Sequence, residues 1–174
     1  MEFNDFLLTV DPQHRSFAQE IHKTLTDEKF KITIESKAQG FLVVYKHPTT
    51  KKSLLNFYFR KSGLHIRLYP SHDFSANTFN PSAPTDFSVR NTFNPSALTD
   101  YMKSEIDKQP NCKPLTGAGN CSAKCAKGYE FNLNSKHYQK CRLCAFQFLV
   151  TDESKGILKE WVGAEVYGWT EVVK

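Results

Sequence analysis

Residues 53–70 read SLLNFYFRKSGLHIRLYP, and their alternation decides the fold class. Leu55, Phe57 and Phe59 alternate with Leu54, Asn56, Tyr58 and Arg60. After Ser62-Gly63, Leu64, Ile66 and Leu68 alternate with His65, Arg67 and Tyr69. A period of two residues with a short glycine-bearing turn is the pattern of a β-hairpin, because successive strand side chains point to opposite faces. One face is then an apolar core face, and the other carries polar and aromatic side chains.

Working outward, KITIES (31–36) and FLVVYKH (41–47) have the same strand character, and KAQG and PTTKK join them to each other and to the hairpin. Connections this short favour an antiparallel meander of four strands. Ahead of the sheet, Asp11-Pro12 is a helix-start signal. Phe17, Ile21 and Leu25 then fall on one stripe of an amphipathic helix over about residues 12–28. Phe6, Leu7, Leu8 and Val10 before it fit either a short helix or an extended arm. Ser96 can cap a second helix bearing Leu98, Tyr101, Met102 and Ile106 on one side, and Thr151 or Asp152 can cap a last helix bearing Ile157, Leu158, Trp161 and Val162. YEFNLN (129–134) and HYQKCRLCAFQFLV (137–150) read as a C-terminal hairpin turning at Ser135-Lys136. The expected fold is α+β: an antiparallel sheet of a four-strand meander plus that hairpin, three helices packed on one face, and a cysteine-rich metal-binding loop.

Length and composition bound the rest. A chain of 174 residues, 40% hydrophobic with 14 Phe, 7 Tyr and 2 Trp, can bury one aromatic-rich core, so a single domain over 1–174 is expected. The net charge of +5 permits an acidic partner without demanding one. Glu2 and Asp5 stand where a signal peptide would carry positive charge, and no stretch approaches the roughly twenty apolar residues of a membrane span. The expected location is cytoplasmic, with no membrane partner.

A tandem duplication begins within residues 71–95. NTFNPSAPTD (77–86) returns as NTFNPSALTD (91–100), differing at one position. Two copies of fourteen residues are too few and too short for a repeat fold, so the segment reads as a duplicated loop insertion, which costs little in loop-closure entropy. Its phenylalanines, Phe74, Phe79, Phe87 and Phe93, offer the alternative of an aromatic loop that grips a partner.

All five cysteines lie in the subregion 110–145: Cys112, Cys121, Cys125, Cys141 and Cys144. Two close pairs about fifteen residues apart is a spacing by which a loop and a hairpin each offer two thiolates to a tetrahedral zinc ion. An iron-sulfur cluster is the alternative. On a continuous strand Cys141 and Cys144 would point to opposite faces. Either the strand begins at Cys144 and both bind, or Cys112 supplies the fourth thiolate and Cys144 is a small core residue. His137 lies close enough in sequence to replace a thiolate.

On the polar sheet face, Tyr58, Arg60, His65, Arg67 and Tyr69 form the candidate ligand-binding set, with Lys46 nearby. Aromatic rings beside cations suit single-stranded nucleic acid or an acidic protein surface, and also serve as ordinary cross-strand pairs. Motifs for phosphate loops, dinucleotides, HExxH metalloproteases and serine elbows are absent from the sequence.

At LNFYFRKSGLHIRLYP the chain resembles small bacterial domains of the YdhG and frataxin-like kind, over about residues 12–70, which implies a helix paired with an antiparallel sheet. The segment CSAKCAKGYEFNLNSKHYQKCRLCAFQF is similar to the cysteine-bearing second half of uncharacterised proteins from anaerobic Firmicutes, from which no activity carries over. The sequence therefore leads to a non-enzymatic intracellular binding module with a structural zinc ion and a macromolecular partner, protein or nucleic acid. The competing reading is a thiol-based enzyme or redox sensor that uses the cysteine cluster.

Overall fold

The computed structural model describes residues 1–70, 95–121, 128–133 and 136–171, with side chains described throughout except at 95–99, 102, 132, 133 and 167–171. The duplicated stretch, apart from its last residues, lies outside the described residues, as does Cys125. The chain divides into two compact units, Met1–Ser71 with Gln147–Lys174, and His72–Phe146.

The first unit is built on the hairpin of residues 53–70. Its elements are α1 (Phe3–Thr9), α2 (Pro12–Asp27), β1 (Lys31–Lys37), β2 (Gly40–Lys46), β3 (Ser53–Arg60) and β4 (Gly63–Leu68). The second unit contributes α3 (Pro95–Asp107), β5 (Tyr129–Leu133) and β6 (Lys136–Lys140). The chain then returns to the first unit with β7 (Gln147–Leu149) and α4 (Asp152–Glu171). The α+β class and the antiparallel meander stand as expected from the sequence.

Two particulars differ from the sequence reading. The 129–150 segment is not one hairpin continuing the sheet: β5 and β6 pair only with each other, and β7 joins the meander beside β4, giving a sheet in the order β1-β2-β3-β4-β7. The cause is a turn after Lys140. The N–H groups of Cys144 and Ala145 both donate to the Cys141 carbonyl, at 3.0 and 2.8 Å, so the backbone leaves the strand before the apolar run AFQFL begins. Helices number four among the described residues, because residues 3–9 form a short one. There Glu2 and Asp5 make a capping box, the Glu2 N–H donating to the Asp5 carboxylate at 2.8 Å.

The core of the first unit follows from the register. Phe57 pairs with Val43 and Ile66, Leu55 with Tyr45 and Leu68, and Ile66 with Phe148, all on one face. Phe6 of α1 and Phe17 of α2 pack on Phe57 at 5.6 and 6.3 Å between ring centroids, and Trp161 of α4 meets Phe148 at 5.0 Å. The three helices that cover this face are therefore α1, α2 and α4. Gly40 is required where β1 turns into β2: its φ is +119°, and a Cβ there would lie 2.8 Å from the Phe59 ring.

The opposite face is also withdrawn from solvent, with Leu54 fully buried and Val44, Asn56, Tyr58 and His65 no more than 9% exposed. Burial on both faces explains why LLNFYF is nearly continuous in apolar residues rather than cleanly alternating. In the second unit, Phe131 stacks on Tyr138 at 5.2 Å, and Phe146 folds back onto Phe131 and Tyr129 at 5.5 and 5.2 Å. Among the described residues, no helix is long and apolar enough to cross a membrane.

Candidate functional site

Strands β3 and β4 place the predicted polar set by register. Tyr58 pairs with His65, Asn56 pairs with Arg67, and Arg67 pairs in turn with Gln147 of β7. Tyr58 is the centre of the cluster. The Arg67 and Arg60 guanidinium carbons lie 4.8 and 5.5 Å from its ring centroid, and the His65 ring sits 5.4 Å away. Arg67 donates through Nη2 to Gln147 Oε1 at 3.1 Å, and Asn56 donates through Nδ2 to the Tyr69 hydroxyl at 3.2 Å. All five residues named from the sequence are thus brought together, while Lys46 stands exposed at the far end of β2.

Burial and charge set the chemistry of this cluster. Burial pushes the Tyr58 phenol up, against the pull of the two arginines, so it stays a protonated donor. Burial likewise lowers the His65 imidazole, despite its hydrogen bond to the Gly63 carbonyl at 3.1 Å; as the neutral ring its Nδ1–H donates there. Burial opposes the charge on Arg67, but the Tyr69 and Tyr58 hydroxyls outweigh it and hold the guanidinium fully charged. Among the described residues, Asn56 Oδ1, the Tyr58 hydroxyl and Arg67 Nε are buried without a hydrogen-bond partner. Three such atoms on one sheet face is a marked departure from the rule that buried polar groups are paired.

A groove of about 340 Å³ opens beside the cluster, lined by Lys37, Gln39, Phe41, Tyr58, Arg60 and Arg67 among others. A second recess of about 580 Å³ adjoins it, lined by Gln39, Arg60, Lys61, Ser62, His65 and Gln147. Lys37 pairs with Glu35 at 2.6 Å, which leaves the two arginines as the dominant charges of the groove. The Tyr58 ring is flanked by guanidinium groups and 9% exposed, so it offers a hydroxyl to the groove and little ring face on which a base could stack. Sequence reasoning missed Asn56 and Gln147. The signal available for Asn56 was a single amide inside an apolar run; for Gln147 there was none, since its pairing with Arg67 spans 80 residues.

The cysteines divide by environment. Cys141 and Cys144 sit on the turn after β6, both half-buried, so the strand geometry that would have aimed them apart does not apply. Cys112 is 1% exposed. Its N–H donates to the Gln139 carbonyl at 2.8 Å, and its sulfur lies against Gly128, where an added Cβ would be 2.6 Å from Sγ. That is the environment of a packed core residue. Cys121 is exposed. Among the described residues no disulfide forms, and no group of three or more His, Cys, Asp or Glu side chains is placed to hold a metal ion. His137 is exposed and lies 3.3 Å from Glu130.

Compared with protein families, with curated proteins and with solved structures, the chain finds no match, so its likeness to YdhG and frataxin-like domains stays one of sequence pattern.

Proposed function

We propose that this chain is a non-enzymatic binding module whose first unit grips carboxylates of an acidic protein surface in the groove beside Tyr58, Arg60 and Arg67. The observation that carries the reading is the pair of buried donors without an acceptor, the Tyr58 O–H and the Arg67 Nε–H, beside the Arg60 guanidinium. Buried polar atoms without partners are costly unless a ligand completes them, and a guanidinium with an open N–H edge suits a carboxylate in a planar, two-point contact. An acidic protein surface is preferred to single-stranded nucleic acid because the Tyr58 ring is enclosed. The test is a titration with a glutamate-rich peptide at low and high salt. Saturable binding that weakens with salt and falls at least tenfold in Arg67→Ala supports the reading; equal binding by that variant sinks it.

The second part of the proposal is a structural zinc ion held by Cys121, Cys125, Cys141 and Cys144, with Cys112 as a core residue. It rests on the cysteine spacing and on the turn that takes Cys141 and Cys144 off a continuous strand. A closed thiolate site of this kind stabilises folding, with apparent binding energies of about 10–16 kcal/mol, and performs no catalysis. Elemental analysis of the purified protein tests it: one zinc per chain is expected, retained in Cys112→Ala and lost in Cys141→Ala.

A further inference from the structure

The helix caps read from the sequence meet at one place in the first unit. Asp11 caps α2 and Thr151 opens α4, and both stand beside the β3–β4 turn around an open recess of about 580 Å³. Three carboxylates line it, Asp11, Asp152 and Glu153, and among the described residues no lysine or arginine does. Local structure uses only part of them. Asp11 accepts from the Gln13 N–H at 3.2 Å, and Asp152 accepts from Lys155 at 2.6 Å, which holds its carboxyl below the usual range. An ionised carboxylate offers about four lone-pair sites, so both keep acceptor capacity, and Glu153 adds an exposed carboxylate.

A second observation at this recess does not follow from capping. His14, in the first turn of α2, lines the recess and is only 8% exposed. Its Nε2 lies 3.3 Å from the Gln13 amide nitrogen. With that amide donating to Nε2, the ring carries its proton on Nδ1, and Nδ1 is buried with no hydrogen-bond partner among the described residues. A buried donor without an acceptor is costly, and nothing in the start of α2 requires one there. The recess thus combines surplus acceptors, one unmet donor and an apolar wall of Phe59, Leu64 and Leu149.

We propose that this recess binds a carbohydrate, with sugar hydroxyls donating to Asp11 and Glu153 and a sugar oxygen accepting from the His14 Nδ1–H. A hydroxyl is donor and acceptor at once, so a polyol meets both requirements together. A simple cation would satisfy the carboxylates and leave the His14 N–H unmet, and an anion would satisfy His14 while facing three carboxylates. The C–H face of a pyranose suits the apolar wall, and the volume of the recess falls within the range of about 300–1,000 Å³ common to small-molecule sites.

The test is ¹H–¹⁵N NMR titration of the whole chain, at low and high sodium chloride, with the methyl glycosides of glucose, galactose and mannose and with N-acetylglucosamine; putrescine serves as the cationic probe. At least one of the four sugars should give saturable shifts at Gln13, His14 and Gly63, equal at both salt concentrations because the ligand is uncharged. His14→Phe, which keeps a ring and removes the unmet N–H, should weaken binding at least tenfold, and Glu153→Gln severalfold. Arg67→Ala, which tests the sheet groove, should leave it unchanged. Because His14→Phe alters a buried side chain, Glu153→Gln at an exposed position is the second probe, and it should melt as wild type does. Failure of all four sugars to saturate, saturation by putrescine in their place, or unchanged sugar binding in both variants overturns the proposal.

Discussion

Replacing Tyr58 by Phe separates stability from binding in the first unit. The substitution deletes one hydroxyl that is buried and has no partner among the described residues, and it keeps the ring that fills the space beside Arg60, Arg67 and His65. An unsatisfied buried hydroxyl proton costs about 1–3 kcal/mol, so its removal should stabilise the unit by about 1 kcal/mol once the loss of the oxygen beside the Arg60 and Arg67 guanidinium groups is allowed for. For a unit of roughly a hundred residues that is a rise in Tm of about 4–8 °C. The same hydroxyl is one of the two donors left for a carboxylate, so binding of a glutamate-rich peptide should weaken severalfold. Differential scanning calorimetry without peptide, paired with isothermal titration, reads both quantities on one sample. A fall in Tm on Tyr58→Phe would mean that the hydroxyl already has a structural partner, and the argument for an incomplete site would fail with it.

Other expectations follow from the packing. Phe57→Ala, at a fully buried residue between Phe6, Phe17 and Tyr45, should cost about 3–5 kcal/mol in urea unfolding. Gly40→Ala should be destabilising by more than about 1 kcal/mol, because the positive φ and the 2.8 Å approach to Phe59 leave no room for a methyl group, and a thermal melt measures this. His22, His47 and His65 all have imidazoles lowered from 6.5 by burial. The unfolded chain therefore takes up protons on them before the folded one does. Stability should be fully present above about pH 6.5 and decline as pH falls below it, a loss that His22→Gln should reduce. Chelation of the proposed zinc ion should collapse the near-ultraviolet signal of the second unit's aromatic cluster while leaving that of the first unit in place.

The meander was legible because its strands are joined by short turns and because each one carries an apolar row at every second residue. The helix starts at Asp11 and Thr151 were legible for a similar reason, since capping is local: Asp11 accepts from the Gln13 N–H at 3.2 Å, and Thr151 and Ser154 exchange side-chain to backbone bonds at 2.9 and 3.2 Å. What escaped was non-local. Nothing in HYQKCRLCAFQFLV says that the chain leaves β6 at Cys141 and re-enters a different sheet at Gln147, because the apolar content is the same on either path. The polar set of β3 and β4 was visible as alternation, but its burial was not, since the sequence does not reveal what shields the second face of a sheet. The caps at Asp11 and Thr151 were each visible alone, but only the fold brings them to one recess with His14.

The central claim is that the Arg67 guanidinium is held ready for a carboxylate from outside the described fold. Its Nε–Hε pair gives a resolved ¹H–¹⁵N signal, assignable by its loss in Arg67→Lys, and among the described residues that N–H has no acceptor. On titration with a glutamate-rich peptide at low salt, the account predicts a saturable downfield shift of this one side-chain proton, with companion shifts at Arg60 and Tyr58. A peptide that binds while the Arg67 signal stays where it was would contradict it.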